Sequence, residues 1–150
     1  MTIEIVNLQR LMEVPERKIR AVLRHVMIEE LGHEVNVSVA VVGDRRIAEL
    51  NRTFLNRTGP TDVLAFPFSG KPPRDDDAEE VFGEIVISAG RARRQARERR
   101  VAAEFELILY AAHGMLHLVG YDDRTAAQAK EMRRREAEVL RRLAPPKGAR

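Results

Sequence analysis

The 150-residue sequence contains no cysteine and no tryptophan. The absence of cysteine excludes disulfides and thiolate ligands, so a zinc site in this chain has to use imidazoles and carboxylates. It also fits a reducing cytoplasm, where disulfides are rare. We therefore expect a cytoplasmic protein whose stability comes from buried apolar surface in one domain.

Signals for export or membrane insertion are also missing. Residues 1–5 lack the charged-then-apolar pattern of a secretory leader. The longest uncharged apolar stretch, residues 107–119, has 13 residues, whereas a membrane-spanning helix needs roughly 20. These features predict a soluble protein with one domain over residues 1–150 and a disordered tail at 145–150.

Lysine is scarce, whereas arginine is abundant. Of the 26 basic residues, 22 are arginine, and the formal net charge is +3 with a sequence pI near 9.7. Guanidinium groups can bind phosphate through two hydrogen bonds, which makes a nucleic acid a natural partner. An arginine-rich surface also follows from genome base composition, so charge alone leaves RNA binding open.

Hydrophobic periodicity predicts an α+β domain with four strands and five helices. The predicted strands are Thr2–Leu8, Glu34–Val42, Val63–Phe68 and Phe82–Ser88. The predicted helices begin after Pro15, Asp44, Ser88 and Thr125, and a central one covers Val101–Val119. This central helix is apolar almost all round, so we expect it to be buried against a small four-stranded sheet and the other helices. The order of the strands is left open.

The end of the central helix carries two of the four histidines. His113 and His117 are four residues apart, which stacks both imidazoles on one helix face about 6 Å apart along the axis. Gly120 can take the positive φ that ends a helix, so residues 121–123 can turn back toward the two rings. Asp123 is then a suitable third ligand. The pattern predicts one Zn²⁺ with water at its fourth position.

The same spacing matches the zinc-binding frame of the metzincin peptidases. In those enzymes a glutamate follows the first histidine and acts as general base. This chain has Gly114 at that position, so it keeps the metal cradle without the base of the peptidase. A zinc peptidase stays an alternative only if a distant acid such as Glu84 supplies that base.

Three segments together resemble the YbeY family of bacterial rRNA-maturation endoribonucleases. The family signature His-Gly-x-Leu-His-Leu-x-Gly-Tyr-Asp-His is matched over residues 113–122. Segments 60–67 and 83–88 resemble, in the same order, the family's Pro-Thr-Asp-Val-Leu-Ser-Phe-Pro and Gly-Asp-Ile-x-Ile sequences. The chain departs from the family at Asp123, which replaces histidine, and at Leu55, which replaces the arginine of some members.

The resemblance implies a metal-dependent endoribonuclease that cleaves single-stranded rRNA in 16S 3′-end maturation and ribosome quality control. The catalytic group would be a metal-bound water held through His113, His117 and Asp123, and the ribosomal small subunit would be the partner. The resemblance further implies that Thr61 and Asp62 line the cleft near the metal. Candidate contacts to RNA phosphates are Arg57, Arg91 and Arg94.

The sequence leaves open the third metal ligand and the role of the metal. Asp122 is the alternative third ligand, although the family places it just before that ligand. A carboxylate at position 123 predicts a weaker Lewis acid that accepts other divalent ions more readily. A non-catalytic ribosome-assembly factor with a structural metal is a further alternative to the nuclease.

Overall fold

The computed structural model describes residues 3–55, 61–68 and 81–143. Within these ranges the strands are β1 (Ile3–Asn7), β2 (Asn36–Val42), β3 (Val63–Pro67) and β4 (Val81–Ser88). The helices are α1 (Glu16–Leu31), α2 (Asp44–Leu55), α3 (Ala89–Arg99), α4 (Ala103–Leu118) and α5 (Ala126–Leu143). The predicted strands and helices are confirmed, with ends that shift by a few residues. The predicted tail lies outside the described residues.

The four strands form one sheet in the order β1-β2-β4-β3. β2 is parallel to both β1 and β4, whereas β3 is antiparallel to β4. Within the described ranges β3 is therefore an edge strand, and it packs beside α4. The predicted α+β fold is confirmed, and this strand order places β3 next to the two histidines.

α4 lies on one face of the sheet and forms the centre of the main core. Ten of its sixteen residues are buried, which confirms the prediction of a central buried helix. α1, α3 and α5 pack around it, and a smaller apolar cluster on the opposite face joins α2 to the sheet. In the described parts of the chain no helix is long and apolar enough to cross a membrane.

Two glycines allow α4 to approach the sheet closely. A Cβ at Gly114 would lie 2.6 Å from Ile85 Cγ2, and a Cβ at Gly83 would lie 2.7 Å from Leu118 Cδ2. Non-bonded carbons prefer separations of about 3.5–4.0 Å, so a side chain at either position would clash. The missing side chains thus bring the C-terminal half of α4, with its histidines, directly against β4.

Side-chain caps start two of the helices as predicted. Ser88 Oγ accepts a hydrogen bond from the Arg91 backbone N–H at 3.0 Å, and Thr125 Oγ1 accepts one from the Gln128 backbone N–H at 3.1 Å. The predicted cap at Asp44 is wrong. Asp44 is the first helical residue of α2, and its carboxylate accepts hydrogen bonds from Ser88 and Arg94 instead.

Candidate active site

His113 and His117 lie on the same face of α4, one turn apart. Their Nε2 atoms are 3.1 Å apart, and their ring centroids are 4.7 Å apart with an interplanar angle of 76°. Both side chains are partly exposed because they border a cleft. The two Nε2 atoms are therefore presented together at a surface that a solvated ion or a substrate can reach.

The turn after α4 brings Asp123 to the two rings. The Tyr121 N–H donates to the Leu116 carbonyl at 2.9 Å, and Gly120, with a φ of 115°, donates to the His117 carbonyl at 3.1 Å. This closure of the helix end requires positive φ, which glycine adopts without a Cβ clash. As a result, Asp123 Oδ2 lies 3.7 Å from the Nε2 atom of each histidine.

Burial and neighbouring charges set the protonation of the two imidazole rings. His113 Nδ1 donates to Glu136 Oε2 at 2.5 Å. Burial opposes the charged form of His113, but the hydrogen bond and charge of Glu136 outweigh it and raise the pKa of His113. Burial and the neighbouring His113 lower the pKa of His117, and they outweigh the opposite effect of the Asp123 and Asp122 charges. His117 therefore stays neutral over a wider pH range, as a metal ligand must.

The distances between the three potential ligand atoms fit one divalent ion. They are 3.1, 3.7 and 3.7 Å, and two ligands about 2.1 Å from one tetrahedral ion lie roughly 3.4 Å apart. Because His113 Nδ1 carries the donated proton, Nε2 of the neutral His113 ring has a free lone pair. His117 Nε2, 3.1 Å away, donates to that lone pair in one tautomer and offers a second lone pair to a cation in the other. Among the described residues, His113, His117 and Asp123 form one group that could hold a metal.

Asp122, the alternative third ligand, has different partners. Its Oδ1 accepts the Asp123 N–H at 2.8 Å, and its Oδ2 lies 3.0 Å from Nε of Arg124. Asp122 lines the same cleft, but it is not part of the group of three potential ligands. The geometry therefore favours Asp123.

The potential ligands border a cleft of about 660 Å³ beside β3. Its walls come from the end of α2, from β3 and from the turn after α4. Thr61 and Asp62 line it, as the family resemblance implies, and so does Leu55. Three acidic side chains and one arginine line the described part of the cleft: Asp62, Asp122, Asp123 and Arg124.

Two of the three predicted RNA-binding arginines do not line this cleft. Arg91 and Arg94 lie on α3 and are not among the cleft-lining residues, and Arg94 binds Asp44 through two guanidinium nitrogens. Arg57 lies outside the described residues. The arginine that does line the cleft is Arg124, with its side chain 85% exposed. Because Arg124 directly follows the potential ligand Asp123, its place at the cleft could have been predicted from the sequence.

Glu136 is a site residue that the sequence patterns above did not identify. It lies on α5, and only 9% of its surface is exposed. Met132 and Val139, four residues before it and three after it, are buried on the same side of the helix. A carboxylate on an apolar stripe needs a buried partner, and that pattern was the available signal.

Comparison with known proteins identifies the family. The family model for endoribonuclease YbeY matches residues 4–144. Proteins named endoribonuclease YbeY from Anaeromyxobacter sp. (strain Fw109-5), Pelotomaculum thermopropionicum and Thermoanaerobacter sp. (strain X514) are 45%, 41% and 38% identical to this chain. These alignments cover 72%, 83% and 94% of this chain, and 54%, 82% and 91% of the relatives. The chain belongs to the endoribonuclease YbeY family.

A solved structure supports the fold assignment. The solution structure of TM1509 from Thermotoga maritima is similar to this chain with a TM-score of 0.59 and 28% sequence identity. The match covers 94% of this chain and 91% of that protein. The arrangement of sheet and helices is thus shared with a known structure over almost the whole chain.

Membership of the endoribonuclease YbeY family makes this chain a hydrolase that cleaves RNA phosphodiester bonds. The two positions considered above for a peptidase base, 114 and 84, both face away from the cleft. Gly114 faces Ile85 of the sheet rather than the cleft. Gly83 and Ile85 point toward α4, so Glu84 between them points to the opposite face of the sheet.

Proposed function

We propose that this endoribonuclease depends on one Zn²⁺ held by His113, His117 and Asp123. The supporting observation is that three ligand atoms from one helix and its turn lie within 3.7 Å of one another in an open cleft. Structural zinc sites have four protein ligands, whereas catalytic ones have three and an open position. The group of three in the described residues favours a catalytic site over the structural metal of an assembly factor.

The side chains of the site prepare it for phosphodiester hydrolysis. When bound, the ion supplies Lewis acidity to a phosphoryl oxygen and lowers the pKa of a water molecule. His113 and His117 would each contribute an Nε2 lone pair from the neutral form of the ring, and Asp123 would contribute a charge that partly neutralises a divalent cation. This chemistry needs no counterpart of the peptidase glutamate, which agrees with Gly114 in that position.

Arg124 supplies the positive charge for the substrate. Its guanidinium follows Asp123 directly, is largely exposed and lies 3.0 Å from Asp122. An RNA phosphate in the cleft can replace Asp122 as its partner, because a guanidinium binds phosphate through two hydrogen bonds. Arg124→Ala should weaken RNA binding and reduce the salt dependence of log K by about 1. Arg133→Ala, at an exposed position on α5, is the matched control.

The substrate class follows from the family resemblance. We propose single-stranded rRNA, with 16S 3′-end maturation and ribosome quality control as the setting and the small ribosomal subunit as the partner. A 16S precursor spanning the mature 3′ end should be cut in preference to an unrelated single-stranded RNA of equal length. Equal cleavage of the two would remove the rRNA assignment and leave the nuclease in place.

Metal analysis combined with RNA cleavage tests the central proposal. Purified protein should contain close to one zinc per chain and cut single-stranded RNA, and His117→Ala should lose both properties. His25→Ala is the control, since His25 is a part-buried histidine on α1 that pairs with Glu29 away from the cleft. Full cleavage by metal-free protein would refute metal dependence. Normal rRNA processing with His113→Ala would favour the assembly-factor alternative.

A further inference from the structure

Glu136 occupies a position on α5 that packing alone does not explain. Its side chain is 11% exposed, and Met132, Val139 and Leu140 around it are buried. A carboxylate in such surroundings is costly unless it is hydrogen-bonded. Its hydrogen-bond partner is His113, whose Nδ1 lies 2.5 Å from Glu136 Oε2 across the interface between α4 and α5.

The hydrogen bond to Glu136 determines which nitrogen of His113 carries the proton and which has a free lone pair. A carboxylate accepts hydrogen bonds and donates none, so Nδ1 of His113 has to carry the proton. In the neutral ring the Nε2 atom is then unprotonated, and it lies 3.1 Å from His117 Nε2 and 3.7 Å from Asp123 Oδ2. A carboxylate behind a histidine ligand has this orienting effect in many zinc sites.

We propose that Glu136 is a positioning residue that holds His113 in its metal-binding tautomer and orientation. This inference rests on the proposed metal site, and it assigns α5 a function beyond packing. Glu136 is not among the residues that line the cleft, and it contacts Nδ1 of His113 rather than Nε2, so it acts through the imidazole ring.

Contacts made by neighbouring residues hold α5 in a position where Glu136 lies beside His113. Arg135 is buried and donates to Glu30 of α1 at 3.0 Å and to Glu138 at 2.8 Å. Tyr121, in the turn that carries Asp123, donates to the same Glu30 carboxylate at 2.7 Å. α5 is thereby tied to α1 and to the turn, so Glu136 meets His113 on a rigid helix rather than on a loop.

The test replaces Glu136 by glutamine, which keeps the size of the side chain but can donate a hydrogen bond to the wrong nitrogen. Glu136→Gln should bind Zn²⁺ about 10–100-fold more weakly than wild type in titrations against a competing chelator. Cleavage should recover at high zinc concentration, because the chemistry of the loaded site is intact. Glu131→Gln, at an exposed carboxylate on the same helix that pairs with Arg134, should behave like wild type.

A second measurement does not depend on the variant folding. Long-range ¹H–¹⁵N spectra of metal-free wild-type protein should show neutral His113 protonated at Nδ1. A His113 protonated at Nε2, or a folded Glu136→Gln variant with wild-type zinc affinity, would overturn the proposal. Failure of wild-type protein to bind Zn²⁺ would refute the proposed metal site instead, while the tautomer of His113 would still report on Glu136.

Discussion

Gly114→Ala tests whether the close approach of α4 to the sheet positions the site. The new Cβ would lie 2.6 Å from Ile85 Cγ2 and 3.2 Å from Val63 Cγ2, both on buried or half-buried strand residues. Overpacking of this kind costs about 1–3 kcal/mol, and replacing a helical glycine by alanine returns about 1 kcal/mol. We therefore expect a net loss of up to about 2 kcal/mol in the free energy of unfolding.

Thermal and urea unfolding provide the assay. For a domain of this size 1 kcal/mol corresponds to about 2–4 °C in Tm, so Tm should fall by up to about 8 °C. Adding Ile85→Ala removes Ile85 Cγ2, the atom closest to the new Cβ, so the double variant should be more stable than the sum of the two single losses predicts. A Gly114→Ala protein more stable than wild type, or a double variant no more stable than the two single losses predict, would refute the reasoning that glycine is needed for this contact.

Three further changes probe other parts of the molecule. Asp123→Ala should weaken Zn²⁺ binding in calorimetric titration, and unchanged affinity would remove Asp123 from the site. Burial raises the pKa of Glu106 despite its pairing with Arg99. Its favourable contribution is therefore complete below the carboxyl pKa of the unfolded chain and is lost as pH rises through the folded-state value. Glu106→Gln should accordingly gain stability relative to wild type at neutral pH but not in acid, as measured by urea unfolding. Ser88→Ala should cost about 1 kcal/mol in the same assay, because it removes the cap of α3 and a hydrogen bond to Asp44.

Features encoded locally were predictable from the sequence. β2 alternates buried valines with half-buried residues, and that period of two is visible in the sequence as valines at every second position. The spacing of His113 and His117, and the glycine that ends α4, likewise depend on neighbours along the chain. Such short-range patterns predicted both the elements and the candidate ligand set.

Features that depend on distant parts of the chain were not predictable in the same way. The pairing of β3 with β4 at the sheet edge joins residues separated by the 69–80 segment, and no periodicity encodes it. Glu136 is 23 residues from His113 in sequence, and only the packing of α5 on α4 brings them together. The arginines of α3 are predicted RNA contacts because the neighbouring helix carries the histidine motif, but Arg91 and Arg94 are not among the residues that line the cleft.

Charge in the cleft links metal binding to RNA binding. Asp62, Asp122 and Asp123 oppose one positive charge from Arg124 among the described lining residues, so the cleft has a net charge of −2 when both imidazoles are neutral. A phosphodiester adds a further negative charge, and partly buried charges are screened less than exposed ones. One divalent cation brings the lining to neutrality. Since Leu55 contributes no charge to the wall, the described lining residues repel an RNA phosphate until a cation is in place.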